Sequence, residues 1–138
     1  MLAKEIMSKN PEFLPPSATL KQAADQMRVH DYGFIPIGEN DRLIGTVTDR
    51  DLTIKAVADG MDPNKKTVKE VMHKGVYFCF EDDPLEKVIK QMEGLQVRRL
   101  VVLNKEKRMT GIISLGDIAT RANNPELCSE LTEAVSQD

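Results

Sequence analysis

The chain is predicted to be an α+β protein that uses one strand–helix–strand–strand–helix unit twice. The first observation behind this is an internal repeat: Ala3-Lys4-Glu5-Ile6-Met7 returns 65 residues later as Val68-Lys69-Glu70-Val71-Met72. The second is a pair of matching helical stripes, Leu20, Ala23, Ala24 and Met27 against Leu85, Val88, Ile89 and Met92, with Gln26 falling on Gln91. The third is a pair of β-prone runs that end alike. One extra residue between Val102 and Thr110 moves the offset to 66, so that the stretch from Gly45 to Asp51 faces the stretch from Gly111 to Asp117. Solenoid repeats have periods of about 20–50 residues and need about three copies. A longer period with two copies reads as a tandem duplication sharing one pseudo-symmetric core.

Each element follows from its residues. The stripes have the i, i+3, i+4, i+7 spacing of a helix with one buried face. Thr19-Leu20-Lys21-Gln22 has the pattern of a capping box, and Asp83, Pro84 and Glu86 are expected to start the second helix with different residues. Phe34-Ile35-Pro36-Ile37 and Arg99-Leu100-Val101-Val102 are short β-prone runs. Polar turns follow, Glu39-Asn40-Asp41-Arg42 and Asn104-Lys105-Glu106-Lys107, and then residues 43–47 and 109–113, so each repeat is expected to hold a hairpin. Closing helices are expected at 52–58 and 118–121. Asp59-Gly60-Met61-Asp62-Pro63-Asn64 reads as a helix stop and connector. The expected organisation is residues 1–64 as repeat one with its connector, 65–122 as repeat two, and 123–138 as a C-terminal helical tail with Leu127, Leu131 and Val135 along one side.

Composition narrows the function classes. The 138 residues are 41% hydrophobic and 30% charged, the proportions of an ordinary globular protein. A half of this length would be marginal alone, so the halves are expected to share a core. The net charge of −3 divides as 8 basic against 10 acidic residues up to Lys65, and 11 against 12 beyond it. Neither half has the basic excess of a nucleic-acid binder, and no Trp and four Phe offer little for base stacking. No run of about 18 apolar residues suggests a membrane span, and no basic segment followed by an apolar one suggests a secretory signal. Cys79 and Cys128 lack metal-type spacing. They are read as unpaired in a reducing cytoplasm, with Cys79 packed as a small hydrophobe in Val76-Tyr77-Phe78-Cys79-Phe80. His30 and His73 have no second His or Cys at ligand spacing, and no Gly-x-Ser-x-Gly elbow or P-loop occurs. Neither a metal site nor catalysis is expected.

The strongest local signal is Gly45-x-x-Thr48-x-x-Asp51 with its partner Gly111-x-x-Ser114-x-x-Asp117, both at strand-to-helix junctions. One reading needs no ligand: Thr48 and Ser114 cap the helices and the aspartates complete capping boxes. The other places a ligand over the helix start, where unpaired amides and the helix dipole favour phosphate. A hydroxyl could hold a phosphate oxygen there, and a carboxylate could accept from both hydroxyls of a ribose. Gly45 and Gly111 would let backbone approach closely. Arg50 adds a planar, permanent cation beside the first site. In the second copy Gly116 takes that place, with Arg98 and Arg99 as alternative cations whose simpler reading is solvation.

These residues resemble a tandem pair of cystathionine β-synthase (CBS) domains, a Bateman module. The resemblance rests on the repeat, the Ile6-Met7 and Val71-Met72 openings, the Phe34-Ile35-Pro36-Ile37 strand and both Gly-x-x-Thr/Ser-x-x-Asp motifs. It covers residues 2–121. The stretch from Thr48-Asp49-Arg50-Asp51-Leu52 to Asp62-Pro63-Asn64 is most similar to stand-alone bacterial CBS pairs. The resemblance implies a βαββα fold per repeat, two sheets about a pseudo-twofold axis, and two clefts between the repeats for adenosine ligands: AMP, ADP, ATP, NAD or S-adenosylmethionine. By that likeness Thr48 and Asp51 hold phosphate and ribose in one cleft and Ser114 and Asp117 in the other. Phe34, Ile35 and Pro36, and Arg99, Leu100 and Val101, flank the base. Val101 in place of Pro36, and Leu115-Gly116 in place of Asp49-Arg50, make the clefts unequal, the first carrying more phosphate-directed charge.

The expected function is a stand-alone regulatory module, homodimeric, that senses an adenosine ligand and passes a packing change to a protein partner. The rival is a structural or interaction module with vestigial, empty clefts. A regulatory fragment of a larger enzyme or transporter is a third reading, disfavoured by the start at Met1 and the polar end at Asp138.

Overall fold

The computed structural model describes residues 1–74 and 77–122. The helical tail expected beyond residue 122, and the relation of Cys79 to Cys128, lie outside the described residues. In chain order the elements are α1 (Ala3–Ile6), β1 (Ser8–Lys9), α2 (Leu20–His30), β2 (Phe34–Glu39), β3 (Arg42–Thr48) and α3 (Asp49–Asp51), which runs into π-helical turns (Leu52–Val57). A 3-10 turn (Val68–Glu70), β4 (Phe78–Phe80), α4 (Leu85–Leu95), β5 (Arg99–Leu103), β6 (Met109–Ser114) and α5 (Leu115–Arg121) follow. The fold class is α+β, as the repeat predicts.

Two compact units emerge: a contiguous one, Glu12–Val76, and a composite one that joins Met1–Pro11 to the chain from Tyr77 onward. Each has its own core. In the contiguous unit Leu20, Ala23 and Met27 of α2 meet Ile35, Ile37, Val47, Val68 and Val71. In the composite unit Val88, Ile89 and Met92 of α4 meet Ala3, Ile6, Leu100, Val102, Ile113 and Ile118. The sequence repeats and the compact units therefore cut the chain differently. Residues that open the first repeat are built into the unit of the second, and those that open the second into the unit of the first.

The exchange is explicit in the hydrogen bonds. Leu85 N–H, at the start of α4, donates to Met1 C=O (2.9 Å), and Leu20 N–H, at the start of α2, donates to Lys66 C=O (3.0 Å). Ala3 N–H donates to Asp83 C=O (2.9 Å) as Val68 N–H does to Ala18 C=O (2.8 Å). First-turn amides have no partner within their own helix; here an opening segment supplies one to each helix. Thr19 Oγ1 also accepts from Gln22 N–H (3.1 Å) while Gln22 Oε1 accepts from Thr19 N–H (2.8 Å), the expected box. At α4 the expectation fails: Pro84 is the cap residue and makes no side-chain bond, and Asp83 Oδ2 accepts from Phe80 N–H (2.9 Å) instead. Proline has no N–H to satisfy, so the carboxylate is free to close the preceding turn.

In the composite unit the strands form a sheet ordered β1-β6-β5-β4, with β4 parallel to β5 and the rest antiparallel. The contiguous unit holds the hairpin β2-β3 with single bridges, Leu14 to Ile37 and Thr46 to His73, where the composite unit has β4 and β1. Asn40 and Asp41 both have positive φ, 51° and 65°, which gives the first hairpin a two-residue turn of matching twist. The second hairpin is longer: Asn104 Oδ1 accepts from Glu106 and Arg108 N–H (3.0 and 2.9 Å) and Lys107 takes the positive φ. The extra residue falls in this loop, since Ile37 pairs with Gly45 while Val102 pairs with Gly111.

The two glycines mark where the opening segments seat. A Cβ on Gly45 would lie 2.8 Å from Met72 Sδ and 2.9 Å from His73 O; one on Gly111 would meet Met7 Sδ and, at 2.8 Å, Ser8 O. A sulfur at the end of a flexible side chain can shift, but a backbone oxygen cannot. Gly45→Ala and Gly111→Ala are each expected to lower stability by about 1–3 kcal/mol in urea unfolding through overpacking. Burial pushes the Cys79 thiol up to about 12 from 9.0, with the nearby Asp83 charge adding to it. Below pH 9 the thiol is neutral in folded and unfolded chains alike, and as pH rises toward 12 only the unfolded chain ionises, so stability falls. In a Cys128→Ser background Cys79 is expected to resist thiol reagents at pH 8 until the protein unfolds, and Cys79→Ala to flatten the alkaline loss of stability.

Candidate functional site

At the end of β3 the chain turns into α3, and at the end of β6 into α5; at each turn the structure forms the same double bond. Thr48 Oγ1 accepts from Asp51 N–H (3.1 Å) and Asp51 Oδ2 accepts from Thr48 N–H (3.0 Å). Ser114 Oγ accepts from Asp117 N–H (3.1 Å) and Asp117 Oδ2 from Ser114 N–H (3.0 Å). Both are complete capping boxes. One oxygen of each carboxylate is thereby spent on structure. The other carboxylate oxygen, Oδ1, has a cation beside it: Lys55 Nζ lies 3.3 Å from Asp51 and Arg121 Nη2 lies 3.9 Å from Asp117.

The expectation of unpaired amides at the first junction is corrected by this geometry. Asp49 N–H donates to Gly33 C=O (3.0 Å), Arg50 N–H to Asp49 Oδ1 (2.9 Å) and Asp51 N–H to Thr48 Oγ1. All three first-turn donors are engaged, and the Asp49 carboxylate puts negative charge where phosphate was expected. At the second junction Leu115 N–H donates to Arg98 C=O (3.1 Å) and Asp117 N–H to Ser114 Oγ, but Leu115, in the place of Asp49, has no carboxylate to accept from the next amide. Gly45 and Gly111 accept the thioethers of Met72 and Met7, so the close approach they permit is made by this chain.

The remaining candidates divide by unit. Phe34 pairs with Thr48 in the β2-β3 register, and Arg99 pairs with Ser114 in β5-β6, so each is beside its hydroxyl. Side chains alternate along a strand. Ile35 and Leu100 are fully buried in the cores of their own units, and their side chains are taken up by packing. Pro36 and Val101, also buried, lie on the opposite strand faces. Arg50 is exposed and, with Asp49, Thr53 and Ile54, lines a shallow hollow of about 360 Å³. Among the other residues considered, His30 is paired with Glu12 (Nε2 to Oε2, 3.0 Å) and stacks on Tyr32. No group of three or more His, Cys, Asp or Glu side chains gathers at metal-holding distance among the described residues. No described helix is long and apolar enough to cross a membrane.

Sequence reading missed Lys55 and Arg121. Lys55 Nζ also donates to Val71 C=O (3.1 Å), and Arg121 Nη1 donates to Ile6 C=O (2.7 Å) and Met7 C=O (2.8 Å). The signal was present: both stand four residues after the motif aspartate, in both repeats. Arg121 also lines a concavity of about 930 Å³ in the composite unit with Lys4, Met7, Lys9, Glu81 and Thr110 among its walls.

Removing the hydroxyl tests the boxes directly. Thr48→Ala and Ser114→Ala are each expected to cost about 1 kcal/mol in urea unfolding, and Ser114→Thr almost nothing. No loss in either alanine variant would mean the boxes are not formed in solution.

Comparison with known proteins agrees with this architecture. The chain is 40% identical over 118 residues to hypoxic response protein 1 of Mycobacterium tuberculosis, covering 85% of this chain and 82% of that protein. A crystal structure of Hypoxic Response Protein I, with two coordinated zinc ions, superposes with a TM-score of 0.79 at 38% identity, covering 88% of this chain and 98% of that one. The CBS domain pair of protein MJ0100, in complex with 5′-methylthioadenosine and S-adenosyl-L-methionine, superposes with a TM-score of 0.77 at 30% identity over 90% of this chain and all of that one. The model of the CBS domain matches twice, at residues 3–57 and 68–124. With the match falling on both repeats and both helix junctions, the chain belongs to the CBS domain family and carries two CBS domains in tandem.

Proposed function

We propose that this CBS pair is a regulatory module that binds an adenosine-containing ligand: AMP, ADP, ATP, NAD or S-adenosylmethionine. Each repeat, 1–64 and 65–122, contributes one binding junction, with 123–138 as a helical tail. The observation that supports it is the twofold recurrence of a hydroxyl–carboxylate pair at a strand–helix junction, in which one carboxylate oxygen is left beyond the capping bond. That oxygen can accept from ribose hydroxyls, and Thr48 or Ser114 stands one turn away. Phe34, Pro36 and the backbone at Ile35, with Arg99, Val101 and the backbone at Leu100, flank the base. The complex of the MJ0100 pair with 5′-methylthioadenosine and S-adenosyl-L-methionine supports an adenosine core as the shared chemistry.

The two junctions carry different charge. Arg50 favours phosphate at the first, Asp49 opposes it, and Leu115-Gly116 leaves the second without either. Occupation is therefore unequal. The module acts as a cytoplasmic homodimer without catalysis of its own, and a protein partner reads the change. Regulation of this kind requires the ligand to bind the two states differently.

Isothermal titration and thermal shift with AMP, ADP, ATP, NAD, 5′-methylthioadenosine and S-adenosylmethionine test the reading, with zinc as a separate arm. A ligand at 100 times its Kd is expected to add about 2.7 kcal/mol of stability. Asp51→Ala is expected to weaken binding by about tenfold or more, since a ribose hydroxyl loses its acceptor. No shift with any adenosine compound favours an interaction module with empty junctions instead. Two equal sites would overturn the asymmetry, and unchanged affinity in Asp51→Ala would remove Asp51 from the site.

A further inference from the structure

We propose that Lys55 and Arg121 are positioning residues that make the docking of the opening segments depend on what Asp51 and Asp117 hold. The inference rests on the adenosine reading of those carboxylates and adds the route by which occupancy is felt elsewhere. Asp51 Oδ2 is committed to Thr48 N–H, so Oδ1 is the oxygen open to a ligand hydroxyl. Lys55 Nζ is 3.3 Å from Oδ1 and donates to Val71 C=O at 3.1 Å. The same ammonium therefore joins the ligand-facing oxygen to the chain that follows the 3-10 turn. One residue on, Met72 seats against Gly45, and at the next His73 N–H donates to Thr46 C=O (2.8 Å).

The arrangement recurs in the composite unit with different residues. Arg121 stands 66 positions after Lys55, and its acceptor Ile6 stands 65 before Val71. Its Nη1 donates to Ile6 and Met7 C=O, and its Nη2 lies 3.9 Å from Asp117 Oδ1. In both pairs the carboxylate is mostly buried, 14% and 16% exposed, while the cation is 40% and 48% exposed. The cation also reaches a main-chain carbonyl of the opening segment in both units.

A hydroxyl arriving at Oδ1 shares that oxygen's lone pairs with the cation, so each draws charge from, and weakens, the other's bond. Lys is a compact point charge on a flexible stem, so weakening its bond to Asp51 frees it to move and loosens Val71 with it. Arg has five donors in a fixed fork and can keep both carbonyls while leaving the already long contact to Asp117. Coupling is therefore stronger at residues 71–73 than at 6–8.

Hydrogen exchange by mass spectrometry on the full chain, with and without S-adenosylmethionine or AMP, tests this beside titration of the same samples. In the unsubstituted protein ligand is expected to change exchange at Met72 and His73 by about threefold or more, the scale of a modest coupling. Lys55→Met is expected to bind ligand within about tenfold of the unsubstituted affinity, one charge-assisted bond at most, yet lose that exchange response. Lys55→Arg restores it, and Arg121→Met removes only the smaller response at Met7 and Ser8. A Lys55→Met chain that binds ligand and keeps the full response at Met72 and His73 overturns the coupling alone. If the unsubstituted chain binds no adenosine compound, the adenosine reading fails and the coupling fails with it.

Discussion

Everything in both units depends on the seating of an opening segment against a glycine in the central hairpin. Met72 lies over Gly45 and Met7 over Gly111 at distances that leave no room for a methyl group. That contact brings a backbone carbonyl to the first amide of each long helix and a strand or bridge to the hairpin edge. A flexible thioether suits the task, because it fills an irregular gap without demanding one rotamer. Chain connectivity then sets the exchange. The contiguous unit takes its opening segment from its own C-terminal end, and the composite unit must recover its segment from the N-terminus.

The same economy governs the helix junctions. A carboxylate has two oxygens, and Asp51 and Asp117 use one to complete a cap. Capping and binding were rival readings of one motif in the sequence. In the folded chain they are compatible, because the capping bond fixes the carboxylate in one orientation and leaves the second oxygen facing a cation. Pre-orientation lowers what a ligand would have to order on binding.

Asymmetry between the repeats arises where the scaffold allows it. Leu115 is buried in the core of the composite unit, whereas Asp49, one position after the cap in the other repeat, is exposed and accepts from Arg50 N–H. Core positions recur because each unit must fill the same volume. Positions beside the cap recur only in backbone conformation, so their side chains are free to differ in charge. The pairing of Lys55 with Arg121 follows the same rule: a cation is kept, but its shape and its acceptors differ.

The α+β class, the duplication, the helix stripes, the hairpins and both capping motifs were legible in the sequence, because each rests on local spacing. Leu20, Ala23 and Met27 of the expected stripe are buried for the reason its period implies, whereas Ala24 of that stripe is exposed. The extra residue of the second hairpin was placed in its loop by the change of offset alone. What tertiary structure decided is which partner each local feature meets. Sequence could not tell that Leu85 N–H is satisfied by Met1 C=O across more than eighty residues, nor that Gly45 and Gly111 are small for Met72 and Met7 rather than for a ligand. Nor could it show that Asp49 occupies the amide beside it. Periodicity records which face of an element is apolar, but the identity of the neighbour across that face is a property of the folded chain.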